Sequence, residues 1–133
     1  GVGIDIDKIQ TVTIDREAKR KELGVSEDDF LLLSVGELSK RKNHITAIRA
    51  VKRLGNPKVK YIICGQGEKR NELISIIEKL GLQEQVKLLG FRTDISELCL
   101  AADLFVFPSI QEGLPVALME AIANKRKSGL NNG

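Results

Sequence analysis

Apolar residues along this chain fall into two kinds of run, and the two kinds alternate. FLLLSVG (Phe30–Gly36), VKYIICG (Val59–Gly65), QVKLLGF (Gln85–Phe91) and DLFVFPS (Asp103–Ser109) are short and continuous, closed or interrupted by Gly or Pro. Such runs predict strands buried on both faces. Between them, NHITAIRAVKRL repeats apolar residues at Ile45, Ile48, Val51 and Leu54, one helical face, with Asn43 placed as an N-cap. EKRNELISIIEKLG predicts a second amphipathic helix, stopped by Gly81, and DISELCLAA a short third one capped by Asp94. A fourth helix is expected from Pro115 onward. Charged residues between Gln10 and Asp29, notably DREAKRKELG, predict a surface helix ahead of the first strand. Four strand–helix alternations with short connections imply parallel βαβ units. The expected fold class is α/β, a Rossmann-like doubly wound parallel sheet of about four strands.

Composition narrows the class without changing it. Of 133 residues, 42% are hydrophobic and 29% charged, the profile of one soluble domain long enough to bury a core. No apolar run approaches the ~18 residues of a membrane-spanning helix. GVGIDIDKIQ lacks a basic leader and an apolar stretch, so no secretory signal and a cytoplasmic setting are expected. Cys64 and Cys99 both lie in apolar stretches and are expected as reduced core thiols. A net charge of +3 with no Trp and one Tyr argues against nucleic acid as a partner. The final residues, NKRKSGLNNG, have no periodicity, which predicts a domain over 1–123 and a frayed or foreign tail over 124–133.

Ligands of such sheets sit at the carboxyl ends of the strands, where three loops carry candidate chemistry. GELSKRKNH offers Lys40, Arg41, Lys42 and His44 before a helix start, suited to phosphate or equally to a solvated surface. His44 taken alone is expected as a surface residue. CGQGEKR holds Gly65 and Gly67, but Arg70 stands where a dinucleotide fingerprint needs its third glycine. A nicotinamide enzyme is therefore disfavoured, and a tight turn accounts for at least one of these glycines. In IQEGLPVALMEAIA, Gly113 permits close approach of a ligand, and the N–H groups near Leu114 and Val116 face out of the helix start. Glu112 precedes the turn. Glu120 stands among apolar neighbours, where a carboxylate is costly unless satisfied. It is expected either to accept from backbone or Arg groups, or to grip the paired hydroxyls of a sugar.

The motifs SVGELSKRKNH, IICGQGE, VKLLGFRTDI and ADLFVFPSIQEGLPVALMEA occur in an order that resembles the nucleotide-binding C-terminal half of retaining GT-B glycosyltransferases of family 4, or group 1. The resemblance extends from Gly1 to Ala123, and the E-x7-E spacing of Glu112 and Glu120 is its most specific mark. It implies a nucleotide-diphospho-sugar, such as a UDP- or GDP-sugar, as donor substrate. Glu120 would accept from the ribose hydroxyls, and Glu112 would hold the donor sugar and stabilise charge at the reacting carbon. Backbone at Gly113 and Leu114 would contact sugar or diphosphate, and Lys42, with Lys40, would neutralise the leaving diphosphate. Gly36 would let its loop approach the phosphates, Gly65 would belong to the donor-binding set, and Phe91 and Arg92 would flank the base. Glu112 and Lys42 are thus the expected catalytic pair. Neither a cofactor nor a metal is expected: Asp5 to Asp7 match an Asp-x-Asp pattern only by letters.

Two departures from the family pattern stand out. Glu37 occupies a position where many relatives carry Arg, and is expected to salt-bridge a neighbouring lysine or to leave neutralisation to Lys42. The acceptor-binding half and the later strands of the family are absent from the sequence, so the chain is expected to be an incomplete donor domain, inactive alone. In the whole enzyme the resemblance implies an N-terminal acceptor domain as partner, a polysaccharide or lipid-linked acceptor and peripheral membrane association. The unpaired sheet edge is expected to favour oligomerisation. A non-catalytic nucleotide-binding or interaction module is the alternative.

Overall fold

The computed structural model describes residues 15–109 and 113–132, with side chains as far as Lys125. Four strands form one sheet: β1 (Phe30–Val35), β2 (Val59–Cys64), β3 (Val86–Gly90) and β4 (Leu104–Phe105). Their order is β3-β2-β1-β4, and every pairing is parallel, with Phe30 opposite Val59 and Leu33 opposite Phe105. Five helices flank the sheet: α1 (15–22), α2 (His44–Leu54), α3 (Arg70–Lys79), α4 (Ile95–Ala101) and α5 (Leu114–Asn132). The doubly wound α/β expectation is met.

Alternation along β1 divides the core. Phe30 and Leu32 face α2, α3 and α5, packing with Ala47, Ile48, Val51, Leu73, Ile77, Leu114 and Leu118. Leu31 and Leu33 face the other way, toward Leu98 and Ala101 of α4. Each such buried aliphatic side chain contributes about 1.5–3 kcal/mol relative to exposure. Ser34, the polar position of β1, is made acceptable by two bonds. Its hydroxyl lies 2.7 Å from the Tyr61 hydroxyl and 2.7 Å from the Val106 carbonyl, tying β1 to both neighbours. Burial pushes the Tyr61 phenol above its ordinary range.

At the amino ends of the strands a carboxylate gathers the outer elements. Asp103 Oδ1 accepts from Arg16 at 2.9 Å and Lys125 at 2.8 Å, and Oδ2 from Arg20 at 3.2 Å and the Leu31 amide at 2.8 Å. Arg20, only 5% exposed, also donates to the carbonyls of Ala101, Ser26 and Asp29. One carboxyl thus links α1, β1 and α5.

Several expectations need correction. The helix from Leu114 runs to Asn132 instead of fraying after Ala123. Lys and Arg are good helix formers, and a helix already nucleated on the core propagates through them without needing an apolar face. Asn43 does cap α2, but in the left-handed conformation (φ 54°) and without a side-chain bond. Asp94 stands at the N-cap of α4 as expected, its carbonyl accepting from the Leu98 amide, but its carboxylate makes no capping bond, because Arg92 and Lys19 occupy it. Cys64 is buried as expected, whereas Cys99 is exposed on the outer face of α4. Gly81 ends α3 as foreseen, at φ 68°.

Candidate functional site

The strand order reverses at β1, which lies between β2 and β4. The carboxyl ends of β1 and β4 sit side by side, joined by the Val106 amide donating to the Leu33 carbonyl at 2.8 Å. Such a switch point is where parallel sheets bind ligands.

Three glycines form its floor. Gly36, Gly65 and Gly90 each follow or end a strand, and the Gly65 amide donates to the Gly90 carbonyl at 2.8 Å. A Cβ on Gly65 would lie 1.9 Å from the Gly36 carbonyl oxygen, and one on Gly67 2.3 Å from that of Leu38. Both glycines of the G-x-G are therefore demanded by contact between two loops. The space beside Gly65 is filled by Gly36. Leu38, fully buried, pins its loop, its amide donating to the Gln66 carbonyl and its carbonyl accepting from the Lys69 amide. Sequence reading missed Leu38 and Gly90. Gly90 was visible as the third repeat of the strand-then-glycine pattern.

The cationic loop divides between two places. Lys42 lies over Gly36: its Cε is 3.9 Å from where a Gly36 Cβ would sit. Lys40 instead lines a hollow between the starts of α2 and α3. Glu37 is exposed and, among the described residues, pairs with neither lysine, so the salt-bridge expectation fails. The local reason is that the loop is held by backbone bonds, Ser39 to Glu37 and Asn43 to Lys40, leaving Glu37 in water. His44, expected at the surface, is 4% exposed, and its buried Nδ1 has no hydrogen-bond partner among the described residues. Such an orphan costs about 1–3 kcal/mol. Burial, then the charge of Lys42, hold this imidazole below its ordinary pKa, hence neutral near pH 7.

Phe91 and Arg92 directly follow Gly90. Phe91 is 73% exposed, a free aromatic face at the strand end. The Arg92 guanidinium is held by both oxygens of Asp94, at 2.8 and 2.7 Å. Arg92, and then Lys19, hold the Asp94 carboxyl well below the usual range.

Across β4, Gly113 (φ 64°) is exposed, and Leu114 drops its side chain into the core, seating the start of α5. The Ala117 amide donates to the Gly113 carbonyl at 3.1 Å, so the amides of Leu114 and Val116 precede the helical ladder. Glu112 falls outside the described residues, as do Asp5 and Asp7. Glu120 is exposed, against the expectation of an apolar setting. Among its described side chains, α5 buries the stripe of Leu114 and Leu118, continued by the partly buried Ala121 and Ile122. Val116 and Met119 stay 59% and 60% exposed, so the apolar letters around Glu120 do not amount to an apolar environment. Among the described residues no group of three or more His, Cys, Asp or Glu forms a metal-ligand set. No described helix is long and apolar enough to cross a membrane.

Residues 15–125 match the family described as glycosyl transferases group 1. The chain is 33% identical over 124 residues to the UDP-Gal:alpha-D-GlcNAc-diphosphoundecaprenol alpha-1,3-galactosyltransferase of Escherichia coli, covering 90% of this chain and 32% of the relative. It is 33% identical over 125 residues to the lipopolysaccharide glucosyltransferase WaaG of Escherichia coli K12, covering 92% and 33%. The crystal structure of Anabaena Alr3699/HepE in complex with UDP superposes with a TM-score of 0.64 at 34% identity, over 70% of this chain and 26% of that one. The chain spans about a third of the length of the curated relatives it matches.

Proposed function

The chain belongs to the glycosyl transferases group 1 family, and on that premise we propose that it supplies the donor-binding part of a retaining glycosyltransferase. The whole enzyme moves a sugar from a nucleoside diphosphate to a polysaccharide or lipid-linked acceptor. The observation that carries this reading is the switch point: Lys42 over Gly36 at the end of β1, which pairs with β4, the strand that leads on to the start of α5.

Departure of a nucleoside diphosphate builds negative charge on phosphate oxygens. Lys42 and the start of α5 stabilise that charge, and fixed donors of this kind are worth about 2.7–4 kcal/mol each in a closed site. No metal takes part in this reading. The exposed Glu120 is free to turn both oxygens to a ribose diol, and Glu112 holds the donor sugar near the reacting carbon. Phe91 offers its face to the base. The acceptor arrives on a separate N-terminal domain, which closes the cleft and excludes water. Peripheral membrane association, and pairing of chains through the edges of β3 or β4, belong to the same proposal. Uridine is the favoured base, because UDP occupies the HepE structure and the galactosyltransferase relative takes UDP-Gal.

Titration of the 15N-labelled chain with UDP-glucose, GDP-mannose and ADP-glucose tests the reading. UDP-glucose is expected to shift the amides of Gly36, Phe91, Gly113 and Leu114. Because Glu120 is exposed, Glu120→Ala is expected to fold as before and to bind about tenfold more weakly, the loss of one charge-assisted pair. Shifts confined to other surfaces, or unchanged affinity in Glu120→Ala, would overturn it.

A further inference from the structure

A second place with unexplained chemistry lies apart from the switch point. The starts of α2 and α3 enclose a hollow of about 350 Å³, lined among others by Lys40, His44, Arg49, Lys69 and Glu72. Three fixed cations face one carboxylate there, and that carboxylate is already paired with Lys69 at 3.1 Å. Neither helix start has a side-chain cap, although the Thr46 and Arg70 amides are held by the carbonyls of Asn43 and Gly67, so the positive ends of two helices border the hollow. The wall also includes His44, 4% exposed, whose Nδ1 has no partner among the described residues. An unpaired polar group is rare in an interior and points to a ligand or ordered water that completes it. Positive charge exceeds negative in the hollow, alongside the neutral polar groups of Ser39, Asn43 and Thr46.

We propose that this hollow between α2 and α3 is a phosphoryl-binding site separate from the donor cradle, taking the phosphate of a monoester or of an anionic lipid headgroup. Lys40, Arg49 and Lys69 supply the charge, the two helix starts add their positive ends, and His44 fills out the wall beneath the anion. At about 350 Å³ the hollow holds a phosphoryl group together with its ester substituent and water. Lys40 then serves this hollow, and Lys42 alone serves the switch point.

The test uses the full 133-residue chain with 15N-labelled histidine and backbone. Inorganic phosphate, added with UDP already present in excess, is expected to shift the His44 imidazole nitrogens and the amides of His44, Ile45 and Arg70. The double variant Arg49→Gln/Lys69→Gln is expected to weaken that binding about tenfold or more while leaving the UDP shifts at Gly36 and Gly113 in place. Each single variant is measured as well, in case the double variant folds poorly. A parallel arm uses vesicles of phosphatidylcholine with and without phosphatidic acid. Binding to free phosphate assigns a soluble monoester, and binding only to the phosphatidic acid vesicles, lost in the variants, assigns a headgroup. The proposal is overturned if phosphate competes with UDP and shifts only the switch-point residues, if both arms leave His44 unmoved, or if the variants bind as tightly as the parent. Failure of UDP to bind would refute the donor reading while leaving the phosphate result to be read on its own residues.

Discussion

Asp103→Ala is the most informative perturbation of the fold. The carboxylate and Arg20 are the buried members of the cluster, their side chains 8% and 6% exposed, while Arg16 and Lys125 keep about a third of theirs in water. The exposed pairs are worth about 0.2–1 kcal/mol each. Removing Asp103 strands Arg20 in the interior, and breaking a buried pair in this way costs about 3–5 kcal/mol. Three backbone carbonyls still accept from Arg20, which puts the expected loss at the lower end. Against a total stability of about 5–15 kcal/mol, the variant stays folded in the cold with a much lower urea midpoint. Urea unfolding monitored by circular dichroism reads the difference. The double variant Asp103→Ala/Arg20→Met should be less unstable than the sum of its parts, because the stranded charge is gone. Additive losses, or a loss under about 1 kcal/mol in Asp103→Ala, would refute the assignment of this cluster as a structural lock. The acid limb gives an independent check. Lys125, the Leu31 amide and Arg20 outweigh burial and hold the Asp103 carboxyl below its ordinary value. A carboxyl depressed in the folded state stabilises fully above its unfolded pKa of about 3.9 and progressively less as pH falls through the folded value. Asp103→Asn should therefore flatten the fall in stability below pH about 4.

Three further outcomes follow from the loops. Gly65→Ala forces a methyl group to 1.9 Å from the Gly36 carbonyl; it should cost at least the 1–3 kcal/mol of overpacking, read by thermal melting, and shift the Gly36 and Lys42 amides. Lys42→Gln should weaken UDP about tenfold or more in calorimetry with no change in melting temperature, since Lys42 makes no ion pair among the described residues. Glu37→Gln should tighten UDP binding severalfold at low salt and do less at high salt, because an exposed negative charge beside Gly36 repels a diphosphate through screened water.

The sheet was legible because burial on both faces leaves continuous apolar runs that nothing else in the chain imitates. Phe30–Val35 and Val59–Cys64 were read nearly to the residue, and so was the alternation that makes their pairing parallel. Failures came where a residue's setting depends on a partner distant in sequence. His44 looks like a loop residue until α3 closes over it, and Glu120 looks buried until α5 meets the core through the stripe of Leu114 and Leu118. Asp103 was read as a letter beside a strand, since its partners lie more than seventy residues away in α1 and β1 and twenty-two away in α5. The switch point was accessible through the glycines that end three strands. The division of Lys40 from Lys42 was not, because neighbouring loop residues diverge according to backbone bonds that the sequence does not display.

The close approach of the Gly65 and Gly36 backbones, where a Cβ on Gly65 would lie 1.9 Å from the Gly36 carbonyl oxygen, has a mechanical corollary. The Gly36 amide donates to the Cys64 carbonyl and the Gly65 amide to the Gly90 carbonyl, so a shift of the segment bearing Lys42 is expected to pass to the neighbouring turn and on to the residues that present Phe91. Tightening at the pyrophosphate end of a nucleotide would thus be felt at the base end as a concerted tilt of the whole platform.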